Sequence, residues 1–193
     1  MIIVDLDGTL VGCNSFTEFV KFLFRRYPRE RWRLIAIVLK RKLRLITHHT
    51  AKERIVKIAE SVTDDAAIND FVEGLLKHVR PLLRSRLQTG ERVILATAAP
   101  ALYAYPLASA LGITEVCATE RGKGENNGER KLRSVERLGV IFAPDTTVIT
   151  DHYADLPLLR RNQSGINILI NPNSATIMHL QMAGIPFITE KMG

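Results

Sequence analysis

The chain has 193 residues and a formal net charge of +7, with 46% hydrophobic and 24% charged residues. This balance predicts one large buried core with room for a smaller second domain. Cys13 and Cys117 lie far apart and outside any C-x-x-C pattern, which argues against a zinc or disulfide framework and fits a reducing cytoplasm. The apolar start is too short for a secretion signal, and no apolar run approaches the ~20 residues of a membrane span.

The first half of the chain reads as one short strand followed by helices. IIV at residues 2–4 predicts a buried strand, and apolar residues then recur at helical spacing. Asn14 or Ser15 can cap the first helix, and Pro81 predicts a kink or interruption in the last, because proline lacks an amide proton. The predicted helices cover residues 16–24, 31–46, 51–62 and 64–87.

Strands and helices alternate from residue 92 onward, which is typical of a parallel sheet covered by helices on both faces. We therefore predict an α/β fold with a Rossmann-like parallel-sheet core over 1–12 and 87–193, and an inserted all-helical cap over 13–86. A glycine-rich loop or hairpin is expected over 120–130. The later strands are predicted at 92–97, 114–119, 146–151, 166–170 and 185–189, and the later helices at 100–112, 131–139, 156–162 and 173–184.

Acidic side chains follow two of these strands, at the sheet edge where open α/β folds bind ligands. Asp5 and Asp7 follow the first strand, and Asp151 ends another. Residues two apart in extended chain lie on the same side of the backbone, so the first two carboxylates repel unless a cation separates them. Mg²⁺ prefers oxygen ligands and binds one or two carboxylates together with substrate phosphate oxygens. The sequence therefore predicts a Mg²⁺ site.

Four motifs in chain order resemble those of the haloacid dehalogenase superfamily of phosphatases. D-x-D-G-T is found at residues 5–9, a threonine ends VILAT at Thr97, a lysine begins a helix at Lys131, and D-x-x-x-D runs from Asp151 to Asp155. The resemblance covers nearly the whole chain. The helical insertion after the first motif resembles the cap of the phosphoserine-phosphatase-like subgroup.

This resemblance implies a role for each motif residue. Asp5 would be the nucleophile that forms an aspartyl-phosphate, and Asp7 the general acid and base. Thr97, Ala98 and Lys131 would contact the phosphoryl group. His152 replaces a small residue that is common in the fourth motif, so it would either border the substrate or pack against the cap. Mg²⁺ would be bound by Asp5, by the main-chain carbonyl of Asp7 and by Asp151. Asp155 would be a further ligand or would support the ligands without contacting the ion.

Each residue also has a structural interpretation. A polar turn would explain Asp5 and Asp7, strand propensity would explain Thr97, and a helix cap would explain Asp155. Other basic residues compete with Lys131 for the third motif: Arg121, Lys123 and Arg130.

The substrate is less defined than the chemistry. FTEFVKFLFRRYP after the first motif resembles a bacterial branch that includes a phosphatidylglycerophosphate phosphatase. Ala154 stands where phosphoserine phosphatases carry asparagine, which argues against amino-acid substrates. A lipid phosphate and a small soluble metabolite both remain open.

Between Glu18 and Glu53 the only acidic residue is Glu30, among eleven lysines and arginines. Such an excess suggests an anionic partner, either lipid headgroups or nucleic acid, and is also typical of a solvated helix face. Apolar residues interrupt the stretch, so we favour lipid and expect no nucleic acid. We therefore expect a cytoplasmic protein. If the partner is lipid, we expect peripheral contact with the inner face of the membrane. A catalytically weak scaffold that binds anions through its cap is the competing function.

Overall fold

The computed structural model describes residues 1–192 and contains a six-stranded sheet in the order β3-β2-β1-β4-β5-β6. Every neighbouring pair of strands is parallel, which confirms the predicted α/β class. The strands are short and mostly buried, as expected when helices cover both faces. They span β1 Ile2–Val4, β2 Val93–Pro100, β3 Glu115–Thr119, β4 Thr147–Thr150, β5 Ile166–Ile170 and β6 Ile188–Glu190.

The α-helices fall into two groups, five between β1 and β2 and four after β2. Within residues 1–192, none of them has the length and apolar character needed to cross a bilayer. The first group is α1 Ser15–Arg26, α2 Arg31–Lys42, α3 His48–Val62, α4 Asp65–Leu76 and α5 Pro81–Leu87. The second group is α6 Ala101–Ala110, α7 Glu129–Glu136, α8 Leu156–Arg161 and α9 Ser174–Met182.

Several element boundaries differ from the predicted ones, among them that of the last strand, which is expected over 185–189 and spans Ile188–Glu190. The helix expected over 31–46 ends at Lys42, because Arg44 adopts a φ of 59° that a right-handed helix does not allow. The helix expected over 64–87 is interrupted, and Pro81 begins α5, where its missing amide proton costs no helical hydrogen bond. β2 continues past the expected end at Thr97 as far as Pro100.

The two connections between the helical insertion and the sheet run side by side. The Gly12 amide donates to the His78 carbonyl at 3.0 Å, and the Arg80 amide donates to the Leu10 carbonyl at 2.9 Å. Beyond this pairing, Arg86 of α5 forms an ion pair with Glu190 of β6. We therefore propose that the insertion is a cap that ends near residue 80, and that α5 packs with the core.

An aromatic cluster joins the insertion to the core. The ring of Phe71 in α4 lies 4.9 Å from that of Phe19 in α1 and 5.2 Å from that of Tyr103 in α6, between centroids. Phe19 and Tyr103 are fully buried, and the Tyr103 hydroxyl lies 3.1 Å from the Ser15 hydroxyl. The cluster therefore couples the folding of the insertion to that of the sheet.

We expect Phe71→Ala to lower the free energy of unfolding by about 3–5 kcal/mol, because it removes a buried ring from a packed interface. Phe71→Leu keeps most of the volume and should cost less than half as much. Urea denaturation followed by circular dichroism measures both. A separate early transition in wild-type protein, assignable to the insertion, would contradict the coupling.

Candidate active site

The site lies where the strand order reverses on either side of β1. β2 and β3 lie on one side of β1, and β4, β5 and β6 lie on the other. The Asp5 amide still donates to the Ile149 carbonyl of β4 at 2.9 Å, so the chain leaves the sheet only after Asp5. Asp151 follows β4 directly. Such a crevice at the carboxyl ends of parallel strands is where this class of sheet binds ligands.

All eight site residues predicted from the sequence line one open pocket of about 210 Å³. Thr97, which is buried within β2, accepts a hydrogen bond from the Ala99 amide at 3.0 Å, and its hydroxyl proton remains free to donate to a ligand. The complete lining is Asp5, Asp7, Thr97, Ala98, Asn127, Lys131, Asp151, His152, Ala154 and Asp155.

Lys131 holds two carboxyl groups together. Its ammonium lies 2.9 Å from Asp5 Oδ1 and 2.6 Å from Asp155 Oδ1, and only 3% of the residue is exposed. Burial opposes the charge, but Asp155 and Asp5 outweigh it and raise the pKa of Lys131 above its usual range. The competing basic residues engage elsewhere, since Arg121 pairs with Glu60 and Lys123 with Glu120.

Asp155 is engaged on both oxygens. Its Oδ2 accepts a hydrogen bond from the Thr150 hydroxyl at 2.7 Å, while its Oδ1 contacts Lys131. It makes no side-chain cap hydrogen bond to α8, so the helix-cap interpretation has no contact to support it. Its contacts are those of a group that positions the lysine.

Asp5 is the most strongly perturbed carboxyl group of the pocket. Burial raises its pKa to about 7, against the lowering effect of Lys131 and with the help of Asp155 and Asp7. The charged form of the Asp5 carboxyl group is therefore unfavourable even beside Lys131, and a further cation next to it would stabilise that form.

Asp7 is held by the first turn of α1. The Ser15 amide donates to Asp7 Oδ1 at 2.8 Å. Burial raises the pKa of Asp7, and the hydrogen bond from Ser15 lowers it in part. The insertion thus fixes the orientation of a core carboxyl group.

Gly8 provides the space that Asp151 occupies. A Cβ atom at Gly8 would lie 2.1 Å from Asp151 Oδ2, and the φ of Gly8 is +74°, which favours glycine. Burial raises the pKa of Asp151. Gly8 is therefore required both for the turn after β1 and for the close approach of the Asp151 carboxylate, which follows β4.

The donor set fits a hard divalent cation. Within residues 1–192 no group of three or more His, Cys, Asp or Glu side chains is arranged to hold a metal. Two carboxylates, Asp5 and Asp151, with the Asp7 carbonyl are instead the kind of partial oxygen set that Mg²⁺ completes with water and substrate phosphate. The fit thus depends on the substrate as well as on the protein.

His152 borders the pocket as part of an aromatic stack. Its Nδ1 accepts a hydrogen bond from the Ala154 amide at 3.1 Å, which places the proton of the neutral ring on Nε2. Its ring lies 4.2 Å from that of Tyr153, which lies 4.4 Å from that of His179. The ring is fixed, and Nε2 is left as a donor.

Lys52 of α3 contacts a residue of the pocket, Ala98, and is not among the residues predicted from the sequence. Its ammonium donates to the Ala98 carbonyl at 2.7 Å and to Glu125 Oε1 at 2.5 Å, and only 6% of the residue is exposed. Its charge lowers the pKa of Asp7 in part. Lys52 follows a stretch with many lysines and arginines, so nothing in the sequence distinguishes it as a residue near the site.

The profile of the haloacid dehalogenase-like hydrolase family matches residues 2–160. The chain belongs to this family of hydrolases. The match covers all four motifs and confirms the superfamily resemblance. A search of curated proteins returns no significant match.

Solved structures share the hydrolase fold at low sequence identity. A protein of unknown function from Bordetella pertussis Tohama I is 20% identical with a TM-score of 0.74, over 97% of both chains. A phosphoserine phosphohydrolase-like protein from Francisella tularensis is 16% identical with a TM-score of 0.59, over 93% of this chain and 91% of that one. A phospho-aspartyl intermediate analogue of phosphoserine phosphatase is 14% identical with a TM-score of 0.55, over 92% and 88%.

We expect Asp5→Asn to stabilise the metal-free hydrolase, increasingly so at higher pH. The folded-state pKa of about 7 exceeds the ordinary value of 3.8, so this carboxyl group's contribution to stability is full below pH 3.8 and is lost as the pH rises to 7. Asparagine does not titrate, so the variant does not lose this stability as the pH rises. Its advantage in unfolding free energy should grow by roughly 2 kcal/mol between pH 5 and pH 8.

Urea denaturation in EDTA at the two pH values measures this difference. Asp145→Asn, at an exposed position before β4, is the matched control and should show no such trend. An unfolding free energy of Asp5→Asn, relative to wild type, that does not rise between pH 5 and pH 8 would contradict the raised pKa of Asp5.

Proposed function

We propose that the protein is a Mg²⁺-dependent phosphomonoester hydrolase that works through an aspartyl-phosphate on Asp5. The observation that carries this proposal is the buried contact of Lys131 with Asp5 Oδ1 at 2.9 Å, in a pocket that also contains Asp7. Lys131 occupies one oxygen of Asp5 and leaves Oδ2 for attack on phosphorus. Phosphoryl transfer depends mainly on such positioning and on charge stabilisation.

In the first step the Asp5 carboxylate forms a bond to phosphorus while the bond from phosphorus to the leaving oxygen breaks. Asp7 donates its proton to that oxygen, and its raised pKa favours the protonated form that this step needs. In the second step Asp7 takes a proton from water, the water oxygen bonds to phosphorus, and the bond to Asp5 breaks. Inorganic phosphate leaves.

The other pocket residues bind and orient. The Thr97 hydroxyl and the Ala98 backbone contact phosphoryl oxygens, and Lys131 offsets the negative charge on the phosphoryl group and Asp5. Asp155 positions Lys131 and does not bind the metal ion itself. This is one of the two roles predicted for Asp155. The His152 Nε2–H donates to the part of the substrate beyond the phosphate.

The residues that would hold Mg²⁺ are Asp5, Asp151 and the Asp7 carbonyl. The ion supplies positive charge that draws phosphate and carboxylate oxygens together. The close packing of the Asp151 carboxylate against Gly8, which has no side chain, supports this assignment. Without such a cation the pocket brings four carboxyl groups against the single ammonium of Lys131.

The substrate that we propose is a small phosphorylated metabolite or a lipid phosphate such as phosphatidylglycerophosphate, met in the cytoplasm or at the inner face of the membrane. The fold likeness to the phosphoserine phosphatase trapped with a phospho-aspartyl analogue supports the reaction class. The competing function, a catalytically weak scaffold, is disfavoured because every group that the reaction requires lines the same pocket.

We expect Asp5→Asn to abolish hydrolysis of p-nitrophenyl phosphate, with a loss of at least about 10³-fold, because it removes the nucleophile. Asp145→Asn should retain wild-type activity. EDTA should abolish wild-type turnover, and Mg²⁺ should restore it. Near-normal turnover by Asp5→Asn would disprove the nucleophile, and turnover unaffected by EDTA would disprove the metal.

A panel of phosphoserine, sugar phosphates, nucleotides and phosphatidylglycerophosphate, assayed with Mg²⁺, then separates the substrate classes. Absence of turnover on every member would favour the scaffold function.

A further inference from the structure

Helix α2 has two apolar faces, only one of which is covered. Leu34 and Ile37 are buried against the rest of the insertion. A second set, which we call the outer stripe, is exposed to solvent. Its members are Trp32, Ile35, Leu39 and Leu43, exposed by 79%, 40%, 52% and 60%. At about 100° per residue these positions fall on one side of the helix, opposite to the buried pair.

Basic residues flank the outer stripe on both sides. Helical geometry places Arg33 and Lys40 along one edge and Lys42 along the other. Arg33 pairs with Glu30. Within residues 1–192 the other two basic residues of the flanks make no ion pair, and neither do Arg41 and Arg44. The surface thus combines apolar side chains with positive charge that the protein does not neutralise.

We propose that the outer stripe binds the surface of an anionic lipid bilayer, with its apolar side chains in the interface and its basic flanks against the headgroups. This combination of apolar area and flanking lysine or arginine is what an interfacial helix requires. Each basic residue near such a surface contributes about a fivefold gain in partitioning. The inference does not depend on the proposed catalysis, because none of these residues lines the catalytic pocket.

Two other occupants fit the surface less well. A second copy of the chain would bring the basic flanks of two α2 helices together, where like charges repel. A single-stranded nucleic acid would use stacking on aromatic rings. Three of the four side chains of the outer stripe are aliphatic and provide no stacking face, so the charge and the shape together favour lipid.

Trp32 provides a direct readout, since it is the only tryptophan in the chain. Vesicles of phosphatidylcholine mixed with phosphatidylglycerol should shift its emission to shorter wavelength and should pellet the protein at low salt. Vesicles of phosphatidylcholine alone should do neither, and high salt should release the protein because exposed charges are screened.

Two sets of variants separate the apolar and the electrostatic parts. Ile35→Asp with Leu39→Asp should weaken pelleting by at least about tenfold, since it places charge in the interface and removes apolar burial. Lys40→Ala with Lys42→Ala should weaken it by about fivefold for each charge. Ile141→Asp is the matched control, because Ile141 is 82% exposed but lies outside the insertion, and it should pellet like wild type.

Hydrolysis of p-nitrophenyl phosphate and the melting temperature, measured on the same samples, should match wild type for every variant, which shows that the fold is intact. The proposal is overturned if anionic vesicles leave Trp32 emission unchanged, if the outer-stripe variant pellets like wild type, or if Ile141→Asp loses binding equally. A Trp32 shift with RNA and none with vesicles would replace lipid with nucleic acid as the partner.

Discussion

The contact of Lys131 with Asp5 and Asp155 is the interaction on which the rest of the site depends. Burying one ammonium between two carboxylates requires close ion-pair contacts and further hydrogen bonds, and the Thr150 hydroxyl donates one of these to Asp155 Oδ2. The sheet makes this possible, because β1 and β4 are neighbours and deliver Asp5 and Asp151 to the same edge. α7 then brings Lys131 to Asp5 from 126 residues away in sequence. Removing Lys131 would leave two buried carboxyl groups without the ammonium that lies between them.

The helical insertion contacts two residues of the pocket, although none of its own residues lines it. Ser15 at the start of α1 fixes Asp7, and Lys52 of α3 is tied to the Ala98 carbonyl beside Thr97. These contacts join cap and core at the points where substrate would bind. Movement of the insertion would therefore change the orientation of the proposed acid as well as access to the pocket. The exposed outer stripe of α2 lies on the same insertion, so the proposed membrane contact and the contacts to Asp7 and Ala98 involve one structural unit.

The strand-end residues could be predicted because the sequence states them locally. Asp5, Asp7 and Asp151 directly follow runs of apolar residues, and a parallel sheet brings such positions together whatever its other details. Lys131 is predicted only through its place in a motif, and its burial between two carboxylates supports it over the neighbouring basic residues. The roles that we assign to these residues remain predictions, since geometry alone does not report reaction chemistry.

Other features depend on contacts that the sequence does not encode locally. Lys52 could not be distinguished from its many basic neighbours, because only tertiary packing buries it against Ala98 and Glu125. The end of α2 was misplaced because the apolar pattern continues through Leu45, while the left-handed backbone at Arg44 ends the helix. The exposure of the outer stripe could not be predicted either. An apolar helix has the same sequence pattern whether one of its faces or both are covered by other parts of the protein.

Chemical trapping of the covalent intermediate tests the central claim most directly. Hydroxylamine cleaves an acyl phosphate and leaves a hydroxamate on the carboxyl group that carried the phosphate. Protein quenched during turnover with Mg²⁺ and substrate, then digested and analysed by mass spectrometry, should bear the hydroxamate on Asp5 alone. The mark should vanish when substrate is omitted. A hydroxamate on Asp7, or turnover that leaves Asp5 unmarked, would contradict the account in which Lys131 prepares Asp5 to accept the phosphoryl group.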